Sequence, residues 1–317
     1  MARPARAPAA ALAAFAVLGT APARAEEGGT GHYLPGATAS FIDALPKDTR
    51  FAFANFFLFY PASVSGRLPV AGLLTATLDA TVFADLLVGL YRTELRLLGG
   101  SYAFGGMLPV LWTDLTGTIV AGAGTRATSE SASGIGDVFL YPFLLGWTAM
   151  GGDLKYDVRF GIYAPTGKFE AGSIANVGKN YWTFEPAASV SFLSSRIGLE
   201  ASAYAGFDFN TRNGTTDYLT GKQLHVDATV AEHLPLLGGL VGLGASAFYY
   251  QQVTADTGSG AVLGELKGRT VGVGPVASYA MKIGDARGAL EVKWLPELQV
   301  KNRIEGDYFW LKLGVTF

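Results

Sequence analysis

The last ten residues of the chain, Tyr308 to Phe317, alternate strictly between two kinds of side chain. One parity is apolar throughout and ends on Phe317, whereas the other mixes Trp310 with Lys312 and Thr316. Because successive side chains of a strand point to opposite faces, this stretch predicts a ribbon with one continuous apolar face. The alternation recurs along most of the chain, which restricts the fold to a sheet with one oily side.

Twelve segments carry strand signals, and the connections between them alternate between short and long. The predicted strands are 51–60, 76–92, 97–120, 136–147, 153–164, 182–192, 197–210, 223–230, 241–252, 270–282, 290–297 and 308–317. The short connections lie near 93–96, 149–152, 194–195, 234–238 and 283–286, and the longer ones near 61–75, 122–135, 165–180, 211–221, 254–267 and 300–306. This order predicts an antiparallel up-and-down sheet with two different ends.

The apolar face needs a partner, and the chain offers no second layer to cover it. A sheet in lipid must close on itself, because lipid supplies no hydrogen-bond partners for an open edge. Short turns at one end and longer loops at the other are typical of outer-membrane barrels. The sequence therefore predicts an all-β fold, a transmembrane antiparallel up-and-down β-barrel of about 12 strands over residues 51–317. The alternative is a soluble periplasmic barrel or sandwich.

One stretch, Pro69 to Tyr91, is long enough to cross a bilayer as a helix. It contains Asp79 and Asp85, and each charge at mid-membrane would cost about 2.5 to 3.5 kcal/mol on insertion scales. As a strand, the stretch separates an apolar face, Ala80 to Leu90, from a face with both aspartates. We therefore expect Asp79 and Asp85 to point into the lumen.

Composition excludes several classes of function. Only 16% of the 317 residues are charged and the formal net charge is -2, so the chain has no basic tract for nucleic acid. It has no cysteine, which excludes disulfides and thiolate chemistry. We find no sequence motif for a metal, a nucleotide or another cofactor.

The N-terminal 50 residues divide in two. Residues 1–25 resemble a secretory signal peptide, with Arg3 and Arg6 before an apolar run and an A-x-A site at Ala23 to Ala25. Cleavage there would start the mature chain at Glu26. Residues 26–50 are polar and irregular, and they form either a periplasmic tail or a segment inserted into the lumen.

Several loop sequences carry a resemblance to a known family. They include GIGDV from Gly134, APTG from Ala164, NVGKNYWTFEP from Asn176, TDYLTG from Thr216 and KNRIEGDYFWLKL from Lys301. In this ordered set the chain resembles the bacterial MetA-pathway phenol degradation family from about Phe51 to its end. The resemblance implies an outer-membrane barrel related to channels for hydrophobic compounds. It implies no catalytic residues.

The inward parity of the strands supplies candidate residues for the lumen and a solute path. They are Lys155, Asp157, Arg159, Tyr163, Glu200, Tyr204, Asp208, His225, Asp227, Tyr250, Glu291, Lys293 and Lys312. The charges could line a pore or form a salt-bridged network that fills it, and the aromatic rings could bind flat solutes or simply pack the interior. We assign no catalytic residue, because no serine is evident beside His225.

These observations predict an outer-membrane channel that admits small hydrophobic or aromatic compounds by passive diffusion. The alternatives are a structural or surface-interaction barrel with a closed lumen and an outer-membrane lipid hydrolase. The expected partners are outer-membrane lipid, the solute, and the barrel assembly machinery, which would read the C-terminal strand ending at Phe317.

Overall fold

A computed structural model describes residues 24–45, 50–122 and 124–317, so the predicted signal peptide lies outside the described residues apart from its last two positions. The strands are β1 Phe51–Val70, β2 Leu73–Leu97, β3 Gly100–Ala121, β4 Gly124–Ile135, β5 Val138–Ala149, β6 Leu154–Ala164, β7 Thr183–Leu193, β8 Leu199–Asn210, β9 Gln223–Leu236, β10 Gly239–Gln252, β11 Arg269–Ile283, β12 Ala286–Lys301 and β13 Glu305–Thr316. Three short 3-10 turns span Glu27–Gly29, Phe41–Asp43 and Met150–Gly152. Among the described residues, no helix has both the length and the apolar character needed to span a membrane.

The sheet is antiparallel throughout and closed. β1 pairs with β2 on one side and with β13 on the other, so the first and last strands meet. The 13 strands form a 12-stranded wall, because β4 and β5 lie in succession along β3. β5 pairs with Ser101 to Met107 of β3 and β4 pairs with Val110 to Ala121. The predicted barrel fold and strand count are confirmed.

Two of the segments that we predicted as long loops are strands in the structure, so those two predictions were wrong. Residues 61–75 continue β1 and β2 as a hairpin that turns at Ala71 and Gly72, and residues 124–135 form β4. At about 3.3 Å per residue, the 25-residue β2 is roughly 80 Å long. About 9 to 11 residues suffice to cross a bilayer. These hairpins therefore extend the wall well beyond a lipid layer, where a strand needs no apolar face.

The predicted orientation of β2 was also wrong. Leu78, Ala84 and Leu86 are buried inside the barrel, whereas Asp79 and Leu87 are exposed outside. Asp85 shares the outer parity, and its carboxylate accepts a hydrogen bond from Asn55 on β1. We had assigned the more apolar face of β2 to lipid, but that face points into the lumen.

Elsewhere the outer surface is apolar, as expected. The large exposed side chains of the wall include Phe53, Phe104, Trp112, Trp182, Phe209, Tyr249, Trp294 and Phe309. Tyr163, one of the candidate lumen residues, points inward and is buried. The barrel thus carries an outer band of aromatic and aliphatic side chains on nearly all of its circumference.

Candidate functional site

The barrel interior contains the N-terminal part of the chain, residues 24–45, which we call the lumenal segment. At the end of the barrel with the longer loops, its Arg24 amide donates to the carbonyl of Arg67 and its Ala25 amide to that of Asn302. At the other end, Leu45 packs with Ala103 and Leu144 near the short turns. The segment therefore runs the length of the lumen before β1 begins at Phe51.

The thirteen candidate residues all lie on the inner face, most of them on one side of the barrel. Twelve are buried and Lys155 is half-buried. They belong to β6, β8, β9, β10, β12 and β13. This side, from β6 to β13, is a polar wall.

Asp227 on β9 is the residue of the polar wall with the most bonds to the lumenal segment. Its carboxylate accepts hydrogen bonds from the Tyr33 hydroxyl, from the Gly36 amide at 3.1 Å and from the Thr38 hydroxyl at 2.5 Å. Asp227 is itself 1% exposed. A buried carboxylate needs such donors, because an unpaired charge in the interior is strongly unfavourable.

Two lysines of the polar wall, Lys293 and Lys312, also bind the segment, closer to the short-turn end of the barrel. Lys293 Nζ donates to the carbonyls of Gly36 and Thr38 at 3.3 and 3.2 Å. Lys312 Nζ lies 3.0 Å from Asp43 Oδ2 and 3.2 Å from Glu291 Oε1. These contacts form a salt-bridged network in the lumen, one of the two alternatives that the sequence left open.

His32 of the segment lies in a polar socket near the loops. Its Nδ1 is 2.7 Å from Thr183 Oγ1, its Nε2 is 3.0 Å from Asp137 Oδ2, and its ring stacks on Tyr163 at 4.7 Å between centroids. Burial lowers the pKa of His32, although Asp137 opposes the shift. Burial likewise lowers the pKa of Lys179, whose Nζ donates to the Thr30 carbonyl.

One cluster could hold a cation. The carboxylates of Glu185 and Asp208 and the imidazole of His225 offer three ligand atoms within 4.8 Å of one another, and all three residues are buried. His225 Nε2 lies 3.5 Å from Asp208 Oδ1 and 3.9 Å from Glu185 Oε1. The ring of Tyr33 covers His225 at 3.9 Å. A protonated imidazole would offset the charge of one of the two carboxylates.

The opposite side of the lumen is an apolar wall made of β1, β2 and β3. Its inward side chains are Phe56, Leu58, Tyr60, Leu78, Ala80, Val82, Ala84, Leu86, Val88, Met107, Leu111 and Leu115. Leu34 and Ala37 of the lumenal segment pack against the hydrophobic cluster that contains this wall, and Phe248, Leu295 and Trp310 of β10, β12 and β13 belong to the same cluster. Asp227 and Lys293 bind the segment from the polar wall, whereas its apolar side chains join a cluster formed mainly by the apolar wall.

Two cavities lie beside the segment, and residues of both the apolar wall and the polar wall border them. The larger, of about 850 Å³, reaches the short-turn end, where Gly151 and Gly152 line it. The smaller, of about 230 Å³, lies toward the loops and is lined by Phe169 and Ile174. Both are bordered by Tyr33, Leu34, Leu86, Met107 and Tyr163, which form the narrowing between them.

The structure divides the candidate residues into two groups. Lys155, Arg159, Tyr163 and Tyr204 line the larger cavity. The others bond to the segment or to one another. The apolar wall was missed because we read its apolar parity as lipid-facing. The signal was present in Phe51 to Tyr60, where phenylalanine, leucine and alanine occupy both parities, as expected for a strand that is apolar on both faces.

Comparison with known proteins supplies a family and related folds. A family model described as "Putative MetA-pathway of phenol degradation" matches residues 64–313. No curated protein matches the chain.

Among solved structures, an outer membrane channel from Pseudomonas putida F1 is 14% identical with a TM-score of 0.55, and the match covers 90% of this chain and 99% of that one. The translocator domain of the autotransporter NalP from Neisseria meningitidis is 12% identical with a TM-score of 0.45, over 86% of this chain and 90% of that one. The first of these similarities establishes a shared barrel fold.

Proposed function

The chain belongs to the family of the MetA-pathway of phenol degradation, and on this premise we propose that it is an outer-membrane channel for small hydrophobic or aromatic solutes. The observation that carries the proposal is the apolar wall of β1 to β3, which lines both cavities from the loop end to the short-turn end. A lumen used only by ions or sugars would not need such a wall, because their hydration shells require polar partners.

The proposed location follows from the outer surface. Exposed rings such as Phe53, Trp182 and Trp294 form a band that acyl chains would cover, so outer-membrane lipid is the expected partner. The proposed route to that membrane is export by the signal peptide of residues 1–25, with cleavage after Ala25. We propose passive flux, because an apolar solute that leaves water for the apolar wall needs only a concentration gradient.

The narrowing between the cavities gives a direct test. Met107 faces the lumen there, while its neighbour Leu108 is 37% exposed on the outer face. We expect Met107→Trp to slow entry of a small fluorescent aromatic probe into proteoliposomes at least fivefold, because the larger ring fills the narrowing. Leu108→Trp places the same ring in lipid and should leave entry unchanged. Equal rates for both variants would contradict the proposed path.

The closed structural barrel remains the second candidate, because the lumenal segment occupies the length of the lumen. Purified protein in liposomes separates the two. Probe entry that exceeds entry into protein-free liposomes supports the channel, and entry at the protein-free rate supports the closed barrel. The hydrolase alternative is tested by incubation with phospholipid and analysis of the lipid products. The side chains that contact His225 Nε2 are the carboxylates of Asp208 and Glu185, and not a serine hydroxyl that could act as a nucleophile.

A further inference from the structure

A buried polar cluster surrounds Glu26 at the loop end of the lumen. Glu26 is fully buried, and its carboxylate accepts two hydrogen bonds from Arg303 Nη1, at 2.7 and 2.8 Å, and one from the Tyr250 hydroxyl at 2.5 Å. Its backbone nitrogen donates to Asp256 Oδ2 at 2.8 Å. This one residue is thus held by both its side chain and its main chain, on three different parts of the barrel.

Asp256 has further donors that fix its carboxylate against this nitrogen. It accepts hydrogen bonds from the Tyr218 hydroxyl at 2.7 Å, from the Gly221 amide at 3.0 Å and from Gln252 Nε2 at 2.5 Å. Asp256 is only 3% exposed. Three donors outside the lumenal segment therefore position this carboxylate.

The charges of this cluster do not balance in the uncut chain. Glu26, Glu27 and Asp256 carry three negative charges, and the two cations that act on them, Arg303 and Lys179, also act on Glu297 and Asp137, so negative charge is in excess. Burial raises the pKa of the Glu26 and Glu27 carboxyls. A buried carboxylate without a countercharge is strongly unfavourable.

The missing positive charge is one that processing of the chain would create at the right atom. The A-x-A motif ends at Ala25, directly before Glu26. A signal peptidase that hydrolyses the Ala25–Glu26 bond uses one water molecule, leaves a carboxylate on Ala25, and frees the Glu26 nitrogen as an α-amino group. This amine gains a proton at neutral pH, and its positive charge beside Asp256 reduces the excess of negative charge.

We propose that Asp256 is a binding site for the processed N-terminus, so that cleavage after Ala25 completes a buried ion pair between the Glu26 α-ammonium and the Asp256 carboxylate. The pair anchors the lumenal segment at the loop end of the barrel. Signal-peptide removal is in this way a step in building the lumen. The inference rests on the proposed cleavage. It does not depend on the proposed transport and gives no evidence for it.

Protection of the α-amine from acylation tests the proposal. Mature protein is purified from membranes, its N-terminus is identified by mass spectrometry, and the folded and denatured forms are treated with an amine-reactive acyl ester. We expect the chain to begin at Glu26 and its α-amine to react at least tenfold more slowly in the folded form. A different first residue, or equal rates in the two forms, would overturn the proposal.

Two variants show whether Asp256 is responsible. Asp256→Asn keeps the size of the side chain but removes its charge, and we expect the folded protein to lose most of the protection. Asp217→Asn is the matched control, because Asp217 lies in the neighbouring loop and bonds to Ser259 and Arg212 instead. Protection that persists in Asp256→Asn would overturn the assignment.

If the Asp256→Asn protein does not fold, a second measurement tests the proposal without that variant. Wild-type chains that begin at Glu26 and chains that begin with one additional residue before Glu26 are refolded in detergent and unfolded with denaturant. The additional residue moves the ammonium away from Asp256, so we expect a lower unfolding midpoint. Equal midpoints would overturn the proposal. Neither readout involves solute flux, so failure here and failure of the channel proposal are distinguishable.

Discussion

Asp227→Ala should release the lumenal segment from the polar wall, and its effect can be worked out from the contacts. The substitution removes the shared acceptor of the Tyr33 hydroxyl, the Gly36 amide and the Thr38 hydroxyl. Hydrogen bonds to a charged group contribute about 1.5 to 3 kcal/mol each. Because bonds that share one acceptor are not additive, we expect a total loss of about 3 to 5 kcal/mol.

This loss predicts a large change in how often the segment leaves its site. At 1.4 kcal/mol per decade, the population of the released state should rise roughly 100-fold to 3,000-fold. The chain has no cysteine, so a single Ser40→Cys substitution gives a specific reporter. Ser40 is 2% exposed, and the introduced thiol should react with a water-soluble reagent only after release. The thiol labelling rate then follows the released population.

The comparison needs a control in the same strand. Thr229, two residues from Asp227 on β9, is also buried but bonds to Ser246 and not to the segment. Thr229→Val should therefore keep the labelling rate within about threefold of the wild-type rate. The lost hydrogen bond is worth about 1 kcal/mol, and it stabilises the barrel wall but not the docked segment. Asp227→Asn should fall between the two. If Asp227→Ala labels no faster than Thr229→Val, the contacts do not hold the segment.

Three further predictions concern other parts of the molecule. Burial and the nearby Lys179 lower the pKa of His32, although Asp137 opposes the shift, so the contribution of His32 to docking is complete above its ordinary pKa of 6.5 and is lost as the pH falls through the lowered value. Labelling of the introduced thiol should therefore accelerate on acidification, and less so in His32→Gln. His225→Leu removes the imidazole that contacts the buried carboxylates of Asp208 and Glu185 and should lower the free energy of unfolding by about 3 to 5 kcal/mol in denaturant titrations, whereas Gln223→Met, a neutral buried position on the same strand, should cost far less. Phe317 is exposed, and its amide donates to the Phe51 carbonyl. If the assembly machinery recognises this residue, deletion of Phe317 should reduce the assembled, heat-modifiable fraction of the protein in membranes, whereas Val315→Ala should not.

The sequence predicted the barrel and the polar wall well, because both follow from local alternation. Asp157, Glu200 and Asp227 each sit on a parity whose neighbours are polar, and period two assigns them to one face without knowledge of the rest of the fold. The strand β4 escaped detection for the opposite reason. Apart from its last residue, Ile135, all of its residues are polar or small, and its side chains are exposed or half-buried, so no alternation marks it. β4 is held in place by its pairing with β3, and the sequence of β4 alone does not reveal that pairing.

The orientation of β2 depended on information that lies outside the strand. Its two parities differ in polarity, and that difference alone does not say which face meets lipid and which meets the interior. The answer depends on what occupies the lumen opposite β2. Leu34 and Ala37 of the segment pack there, so the apolar parity of β2 turns inward. Residues 26–50 contain no strand signal, so sequence periodicity could not place the described part of this stretch, residues 26–45, in the lumen.

The arrangement of the segment bears on how a plugged barrel could still pass a solute. The hydrogen bonds of Tyr33, Gly36 and Thr38 are all directed to the polar wall, through Asp227 and Lys293. Toward the apolar wall the segment offers Leu34 and Ala37, which make only van der Waals contacts there. A solute that enters between segment and apolar wall therefore breaks no hydrogen bond, and its cost is limited to local rearrangement of side chains such as Met107, which is flexible. Charged side chains such as Lys155 and Arg159 also line the larger cavity, so the proposed preference for apolar solutes rests on the apolar wall and not on a lack of polar partners for ions.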